Sequence, residues 1–444
     1  MTFSALDSSL TGPLFATDAM RAAFSDRARI GAMIRMEAAL ARAQGLPDLA
    51  VALAGFSPDA LDLDALGRET AVAGVPTIPF IQAVRERLPA DLARSFHRGA
   101  TTQDVLDTAL VLQMRDAFDL IASDLDAILQ GLARLADEQR GTPCAGRTYG
   151  QHAAPVTFGF KAAVWLTGVA EAAAQLPWLR ERVLVATLGG AVGTLATLGE
   201  KGPAVLDAFA RDLGLGTAPL APHTLRGRIA DTGAWLATLI GALAKMGGDV
   251  AHLASTEVGE VSEPHVPGRG GSSAMPHKRN PVSSTVILAA HAAARGHVTV
   301  LLDAMAAAHE RPAGLWHAEW HALPSLFGLA SGALREARAL AEGLVVHSDR
   351  MRANLDLSRG LLFADAAAAR LSPHLGAKEA HALVERAAGR VRDGAESLET
   401  ALAELTPHPV DDAFDLAPAI RAAGPWIDRA LAEAARIRST LNAR

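Results

Sequence analysis

Apolar residues recur at helical spacing over long windows, and this pattern constrains the fold more than any other feature of the chain. From Val105 to about Ala136 they return every three or four positions, which places them on one stripe of a helix. Comparable patterns cover 160–185, 229–258, 282–308 and 324–344. Stretches of β-branched residues with period-two alternation are hard to find, and aromatic residues make up only 5% of the chain. Long helices with short connections predict an all-α fold around a central bundle.

The breaks between these helices indicate how the chain is divided. They fall at 89–104, 141–159, 187–203, 214–227 and 262–281. Beyond about residue 352 the helical patterns become shorter and are separated by prolines. We therefore predict a helical domain over 1–104, a long-bundle domain over 105–350 and a second helical domain over 351–444. Because bundles with wide apolar faces usually bury them against copies of themselves, we also expect a homo-oligomer.

Composition and charge exclude several classes of protein. Apolar residues make up 50% of the 444 residues, which is enough to bury a large core. A net charge of -6 without a basic tail gives no electrostatic reason to expect nucleic acid or a membrane surface as partner. No window of about 18 uninterrupted apolar residues predicts a membrane span, and the N-terminus lacks a signal-peptide pattern. The single cysteine, Cys144, is typical of a reducing compartment, so we expect a cytoplasmic protein.

The segment GRGGSSAMPHKRNP, over 268–281, departs abruptly from the helical pattern. It concentrates glycines, the hydroxyls of Ser272 and Ser273, and several cations. A Walker phosphate loop is excluded because histidine, not glycine, precedes Lys278. The dinucleotide fingerprint is excluded because serine occupies the third glycine position and no strand precedes it.

Two interpretations of this segment stay open. Asn280 and Pro281 suit the N-cap and the first turn of a helix, so the segment is consistent with a surface loop followed by a cap. Backbone N–H groups and hydroxyls beside a cation also favour a binding site for a small anion.

The segment HRGATTQDVLDT, over 97–108, allows two interpretations of its own. Thr101 followed by Asp104 just before an apolar run is a capping box, and capping alone would explain it. The side chains of His97, Arg98, Thr101 and Thr102 beside a helix N-terminus would equally form a corner that binds a carboxylate.

Two further segments carry candidate site residues. In GRTYGQHAAPVTFG, over 146–159, Arg147, Tyr149, Gln151 and His152 lie in a loop that we predict to precede a helix. A lone histidine is more often structural, but a polar loop also suits acid–base chemistry. In HERPAGLWHAEWH, over 309–321, Arg311 is either a fixed anion contact or half of a surface ion pair. His317 and His321 share a helical face, but neither an HExxH pattern nor a third ligand is evident, so we expect no metal site.

In this order, the segments resemble the fumarase/aspartase superfamily of helical lyases. GSSAMPHKRNP carries the superfamily signature G-S-S-x-M-P-x-K-x-N at every fixed position over 271–280. HRGATTQD and GRTYGQHAAP are similar to its first and second active-site segments. The resemblance implies a three-domain helical subunit, a homotetramer with active sites shared between subunits, and chemistry that needs neither a metal nor an organic cofactor.

The resemblance also implies roles for individual residues. Ser272 corresponds to the base of the lyases, and either it or the neighbouring Ser273 would handle the proton here. Lys278 would stabilise developing negative charge. His152 and, more weakly, Tyr149 are candidate proton donors. The expected contacts to a substrate are His97, Thr101, Thr102, Met275, Asn280 and Arg311.

Tyr149 distinguishes between branches of the superfamily. Adenylosuccinate lyases and many other members carry a histidine of their acid–base machinery at this position. The resemblance is therefore stronger to the cycloisomerase branch, in which a substrate carboxylate attacks its own diene and closes a lactone. This branch implies a small tricarboxylate substrate. An adenylosuccinate lyase or another lyase that releases fumarate is the alternative. A cycloisomerase whose substrate carries a sulfonate in place of one carboxylate, and a non-catalytic helical scaffold, are less favoured.

Overall fold

The computed structural model describes residues 3–442, and long helices dominate it. This confirms the all-α class expected from the apolar spacing. The N-terminal part consists of shorter helices: α1 (Gly12–Phe15), α2 (Asp18–Ala23), α3 (Asp26–Ala43), α4 (Pro47–Ala54), α5 (Leu63–Ala73), α6 (Thr77–Arg85) and α7 (Ala90–Ala93).

The middle of the chain holds the long helices and the C-terminal part holds mostly shorter ones. The middle helices are α8 (Thr102–Glu138), α9 (Phe158–Ala174), α10 (Leu176–Val183), α11 (Gly202–Leu213), α12 (Gly227–Leu253), α13 (Val282–Asp303) and α14 (Leu315–Gly343). The C-terminal helices are α15 (Ser348–Asp356), α16 (Ala364–Leu375), α17 (Ala377–Arg392), α18 (Leu398–Leu405) and α19 (Ala417–Asn442).

Each predicted long pattern corresponds mainly to helix, although the patterns over 229–258 and 282–308 extend five residues beyond the ends of α12 and α13. Two larger differences occur at prolines. The pattern over 160–185 is divided, because α9 ends at Ala174 and α10 begins after Gln175 with a proline in its first turn. Proline lacks the N–H that would continue the hydrogen-bond ladder, so it favours a new helix start. In contrast, α14 begins nine residues before the predicted start and carries Pro324 inside it.

The segment 141–159 is a β-hairpin, so the prediction of a loop there was wrong. Strand β1 (Pro143–Thr148) pairs antiparallel with β2 (Gln151–Thr157), with a bulge between Gly146 and Arg147. The turn residues Tyr149 and Gly150 have φ of 51° and 77°, as a tight hairpin turn requires. Alanine, glycine and proline fill the strands instead of β-branched residues, and this composition concealed them. A second small sheet pairs β3 (Val261–Ser262) with β4 (Val345–Val346).

The chain forms two compact units, each assembled from three stretches. The first comprises Met1–Asp124, Ala172–Gly241 and Ala289–Arg335, and the second comprises Leu125–Glu171, Ala242–Leu288 and Glu336–Arg444. The boundaries fall inside α8, α9, α12, α13 and α14. The three-domain division read from the sequence stays a prediction.

Each unit has its own apolar core. In the first unit, residues of α3, α4 and α6 pack with the first turns of α8, and Met33, Phe80 and Phe209 are almost fully buried there. In the second unit, α16, α17 and α18 form one cluster. Ala145 of β1 packs with Leu355 and Leu362 in another, which seats the base of the hairpin.

Helix α13 is long and apolar enough to cross a membrane by length and composition alone. Only 28% of its most apolar window is buried within the chain. Core helices of bundles pass the same test, so this is weak evidence for a span. The finding does show that a long apolar surface is left open by the chain's own packing.

Candidate active site

Asp104, the last residue of the predicted capping box, binds several partners inside the first unit. Its buried carboxylate accepts a hydrogen bond from the N–H of Thr101 at 2.9 Å, which is one half of a capping box. It also accepts from the N–H groups of Gly189 and Gly190 at 2.8 and 2.9 Å, and lies 2.7 Å from Nε2 of His223. Asp104 therefore fixes a glycine turn and a histidine against the start of α8, which is more than a cap does.

Arg311 lies in the first unit, just before α14, and one of its nitrogens has no partner. Its Nε donates to Oε1 of Gln103 at 3.1 Å. Its Nη2 is buried and, among residues 3–442, makes no hydrogen bond. Buried polar atoms are nearly always paired, so an orphaned guanidinium nitrogen marks a position where an acceptor belongs. Arg311 forms no ion pair with any residue of 3–442, so the alternative interpretation of Arg311 as half of a surface ion pair is not supported.

His97 is held in place by a buried carboxylate. Its Nδ1 lies 2.6 Å from Oε1 of Glu37, which is only 1% exposed. Thr101 and Thr102, both half-buried, stand at the N-terminus of α8, where unpaired N–H groups favour an anion. The four candidate substrate contacts of the first unit are thus His97, Thr101, Thr102 and Arg311.

The hairpin of the second unit is fastened by a buried ion pair that the sequence did not reveal. Arg147 on β1 donates from Nη1 and Nη2 to the two oxygens of Glu260 at 3.0 and 2.5 Å. Asn354 on α15 donates to the same carboxylate at 2.8 Å. Burial raises the pKa of Glu260, but the hydrogen bonds from Arg147 and Asn354 outweigh it, so the pKa is lower than usual. The carboxylate of Glu260 is therefore ionised at neutral pH.

His152 pairs with Arg147 across the hairpin. Partial burial and, after it, the neighbouring positive charge of Arg147 lower the pKa of His152 below its ordinary value. The imidazole is therefore mostly neutral near pH 7. A neutral imidazole accepts a proton more readily than it donates one, which weakens the case for His152 as the donor.

Tyr149 occupies the tip of the hairpin and is fully exposed. Its phenol makes no hydrogen bond to the described part of the chain. The side chain therefore points away from the groups of its own hairpin, and it is available to a partner from outside them.

The signature segment forms a loop whose two ends are tied together. Asn280 N–H donates to the carbonyl of Gly270 at 2.8 Å, and a β-bridge joins Gly271 to Arg279. Between these ties, most side chains of the loop are exposed. The tie holds the base of the loop and leaves its tip free to contact a ligand.

Ser272 has a local environment that suits a base. Its Oγ accepts hydrogen bonds from the N–H groups of Ala274 at 3.4 Å and Met275 at 3.2 Å. Donors aimed at a hydroxyl oxygen favour negative charge on it, which stabilises the alkoxide form. The side chain of Ser273 has no comparable donors among residues 3–442.

The predicted N-cap of α13 was wrong. The helix begins at Val282, and its first free N–H groups, those of Ser283 and Ser284, both donate to the carboxylate of Glu263 at 2.9 Å. A carboxylate from an earlier segment thus does the capping. Asn280, together with Lys278 and Met275, remains exposed on the loop.

The structure thus separates the candidate residues into groups. Those of the first unit gather around the N-terminus of α8 and the segment before α14. In the second unit, Tyr149 and His152 lie on the hairpin, and Ser272, Ser273, Met275, Lys278 and Asn280 lie on the signature loop. Within residues 3–442, no hydrogen bond joins the hairpin pair to the side chains of that loop.

His317 and Cys144 have surroundings that suit a role in packing. The ring of His317 packs against Trp320 with 4.4 Å between centroids, and among residues 3–442 no group of three or more His, Cys, Asp or Glu residues could hold a metal. Burial raises the pKa of the Cys144 thiol to about 12, so it is an unreactive core residue.

Comparisons with known proteins agree with the signature segments. A family model described as "Lyase" matches residues 15–296. A 3-carboxy-cis,cis-muconate cycloisomerase of Pseudomonas aeruginosa is 44% identical over 430 residues, which cover 93% of this chain and 94% of the relative. A nitrosuccinate lyase of Streptomyces davaonensis is 43% identical over 96% of this chain and 95% of its own length. The crystal structure of a 3-carboxy-cis,cis-muconate lactonizing enzyme from Pseudomonas putida superposes with a TM-score of 0.92 at 41% identity, covering 97% of this chain and all of that one.

Proposed function

Since this chain belongs to the lyase family, we propose that it is a cycloisomerase that converts 3-carboxy-cis,cis-muconate to a carboxymuconolactone, an intramolecular lyase of protocatechuate (β-ketoadipate) catabolism. The observation that carries this assignment is the match to the lactonizing enzyme over 97% of this chain and all of that one. Tyr149, at the position where adenylosuccinate lyases carry histidine, supports the same branch.

Lactone closure makes the substrate its own nucleophile, so the protein needs to orient it and stabilise charge. Attack of one carboxylate on the diene pushes electrons into the neighbouring carboxylate, which becomes an aci-carboxylate with two negative oxygens. Stabilising this charge is the largest catalytic contribution. Lys278, Asn280 and the N–H groups beside Ser272 are the groups that supply it, and the exposed tip of the tied loop suits that role.

The same reaction requires a proton at the carbon next to the new ring. Ser272 handles this proton, because the N–H groups aimed at its Oγ stabilise the alkoxide form. Tyr149 is the second candidate donor. His152 is a weaker one, since its lowered pKa leaves it neutral until the substrate's negative charge approaches.

The remaining carboxylates of the substrate need fixed cations and donors. Arg311 binds one of them through its unpaired Nη2. His97, Thr101 and Thr102 bind another at the N-terminus of α8, and Met275 packs against the carbon skeleton. No metal or organic cofactor enters these steps.

We further propose a cytoplasmic homotetramer with active sites shared between subunits. Tyr149 and the tip of the signature loop are exposed in the single chain. A substrate bound there would remain open to water unless a neighbouring subunit enclosed it. The open apolar surface of α13 suits the interface of such an assembly.

The assignment is tested by following the diene absorbance with purified protein. The protein is mixed in separate reactions with 3-carboxymuconate, 3-sulfomuconate and adenylosuccinate, and fumarate is measured in parallel. Loss of the diene absorbance without fumarate supports the cycloisomerase. Faster turnover of the sulfonate would change the assigned substrate, and release of fumarate from adenylosuccinate would change the class.

The similarity to nitrosuccinate lyase makes one more substrate necessary. Its identity of 43% is almost that of the cycloisomerase relative, so identity does not separate the two activities. Elimination of nitrite from nitrosuccinate would leave fumarate, which the same assay detects. Turnover of nitrosuccinate and not of the muconates would replace the proposed function with this second candidate.

A further inference from the structure

Gln103 is a completely buried residue in the first turn of α8 and contacts Arg311 directly. Its amide nitrogen donates to Oδ2 of Asp107 at 3.2 Å and to the carbonyl of His223 at 2.8 Å. Its amide oxygen accepts from Nε of Arg311 at 3.1 Å. The amide is thus fully engaged, with two acceptors on one side and one donor on the other.

These partners permit only one orientation of the amide. A carboxylate and a carbonyl accept hydrogen bonds only, so they require the NH₂ end. A guanidinium only donates, so it requires the oxygen end. A flipped amide would turn its NH₂ group toward Arg311 and its oxygen toward Asp107, losing every bond at once. The two hydrogen bonds of the amide nitrogen therefore fix the amide oxygen in the direction of Arg311.

The support behind Gln103 is itself rigid. Asp107 accepts from Nη1 of Arg226 at 2.7 Å and from the indole nitrogen of Trp316 at 2.9 Å. Arg226 in turn donates to Glu319 on α14 at 2.8 and 2.5 Å. Burial in low-dielectric surroundings strengthens these charged hydrogen bonds, provided that all are satisfied. The network links α8 to α14, the helix that follows Arg311 in the chain.

We propose that Gln103 is a positioning residue, which holds the Arg311 guanidinium so that its unpaired Nη2 faces a carboxylate of the substrate. This inference rests on the proposed function. Because Nε is bound to Gln103, the plane of the guanidinium is fixed before the substrate arrives. The planar fork of arginine binds a carboxylate well only when that plane is aligned.

The central test is the variant Gln103→Met, which keeps the length of the side chain and removes its hydrogen bonds. The value of kcat/KM for 3-carboxymuconate should fall about 10- to 100-fold, mainly through KM, because the carboxylate contact becomes misaligned. Gln113→Met is the matched control. Gln113 is also buried on α8, and within residues 3–442 its side chain donates only to the carbonyl of Ala23 at 2.8 Å, so kcat/KM should change less than about 3-fold.

A double-mutant cycle separates an effect of Gln103 on Arg311 from a general disturbance of the structure. If Gln103 acts through Arg311, then Gln103→Met should change kcat/KM less than about 2-fold in an Arg311→Ala background. A full additional loss in the double variant would overturn the proposal. If Gln103→Met fails to fold, Arg311→Lys replaces it, since a lysine ammonium cannot reproduce the aligned fork. Near wild-type kcat/KM in Arg311→Lys would equally overturn it.

A binding measurement keeps this inference distinct from the proposed function. Propane-1,2,3-tricarboxylate is titrated calorimetrically into the wild type, Gln103→Met, Arg311→Ala and the double variant. The two single variants should weaken its binding by similar factors, and the double variant no further. This result together with no muconate turnover would retain the positioning role and reject the activity. Unchanged binding in Gln103→Met would reject the positioning role whatever the activity.

Discussion

His97 is held in a backbone conformation that histidine rarely adopts. Its φ of 60° lies in the left-handed region, which costs energy for a residue with a Cβ and persists only where the surroundings enforce it. The buried carboxylate of Glu37 fixes the side chain as well. Backbone and side chain are thus both constrained in a segment that we propose to contact the substrate, so ligand binding there needs little further ordering.

The two adjacent serines should differ sharply in their contribution to catalysis. Ser272→Ala should lower kcat by at least about 100-fold, because it removes the only hydroxyl of the pair that receives N–H donors in residues 3–442. Ser273→Ala should lower it by less than about 10-fold. Single-turnover kinetics on both variants, with circular dichroism to verify folding, measure the difference. An equal loss in the two variants would assign the proton transfer to neither serine alone.

Candidate site residues could be proposed from the sequence, whereas their partners could not. Motif spacing pointed to His97 and Arg311 as candidate substrate contacts and to Asp104 as part of a capping box. Their partners lie far along the chain: His223 is 119 residues from Asp104, and Gln103 is 208 residues from Arg311. Only the folded bundle brings such pairs together, so a local sequence pattern cannot predict which residues pair.

The signature loop depends on a glycine at its base. Gly270 has φ of 71°, and a Cβ there would lie 2.7 Å from the carbonyl oxygen of Asn280. Any side chain would therefore push apart the two ends that the Asn280 to Gly270 hydrogen bond joins. The position of Lys278 and Asn280 follows from this tie.

Gly270→Ala should damage the loop more than a similar change nearby. It combines an unfavourable φ with a collision against backbone, so we expect a loss of about 1–3 kcal/mol in stability and a clear fall in kcat. Gly268→Ala is the matched control, because Gly268 has φ of 79° but a methyl group there would meet no other atom within 4 Å. Thermal unfolding and kcat are measured for both. Equal effects would show that backbone strain alone, and not the tie, governs the loop.

The hairpin should be sensitive to acid through Glu260. Its folded pKa is below the ordinary value of 4.5, so its contribution to stability is present above that pH and is lost as the pH falls through the folded pKa. Glu260→Gln leaves Arg147 without its buried partner and should cost about 3 kcal/mol at pH 7. Urea unfolding at pH 7 and at acidic pH compares the two proteins. The difference should shrink in acid; a constant difference would show that charge is not its origin.

Among the secondary-structure elements, the apolar periodicity predicted the long helices and missed the short hairpin. The long helices were found because their apolar stripes extend over many turns. The hairpin was missed because its strands are rich in Ala, Gly and Pro, which do not favour a strand. Only the turn residues Tyr149 and Gly150 indicate a hairpin in the sequence. The cap of α13 was misassigned because Glu263 reaches it from an earlier segment, beyond the range of any capping motif.

The whole chain leaves apolar surface on α13 that its own packing does not cover. Leu288 and Leu302 on this helix are 38% and 52% exposed. Long exposed apolar faces on a bundle helix favour association with copies of the same chain. The resemblance to the superfamily predicted both the fold and a homotetramer, while the helical periodicity alone predicted a bundle and a homo-oligomer of unstated size. The homotetramer stays a prediction.

Mixing two inactive variants tests whether active sites are shared between subunits. Lys278→Ala and Arg311→Ala should each reduce turnover severely without loss of helical signal or assembly, since each removes a cation that we propose to face a substrate carboxylate. If the two residues serve one site from different subunits, dissociating and reassembling an equal mixture should restore roughly a quarter of wild-type activity, because that fraction of sites would contain both intact residues. Light scattering confirms the assembly before the assay. Turnover that stays at the level of the single variants would mean that Lys278 and Arg311 reach each site from the same chain.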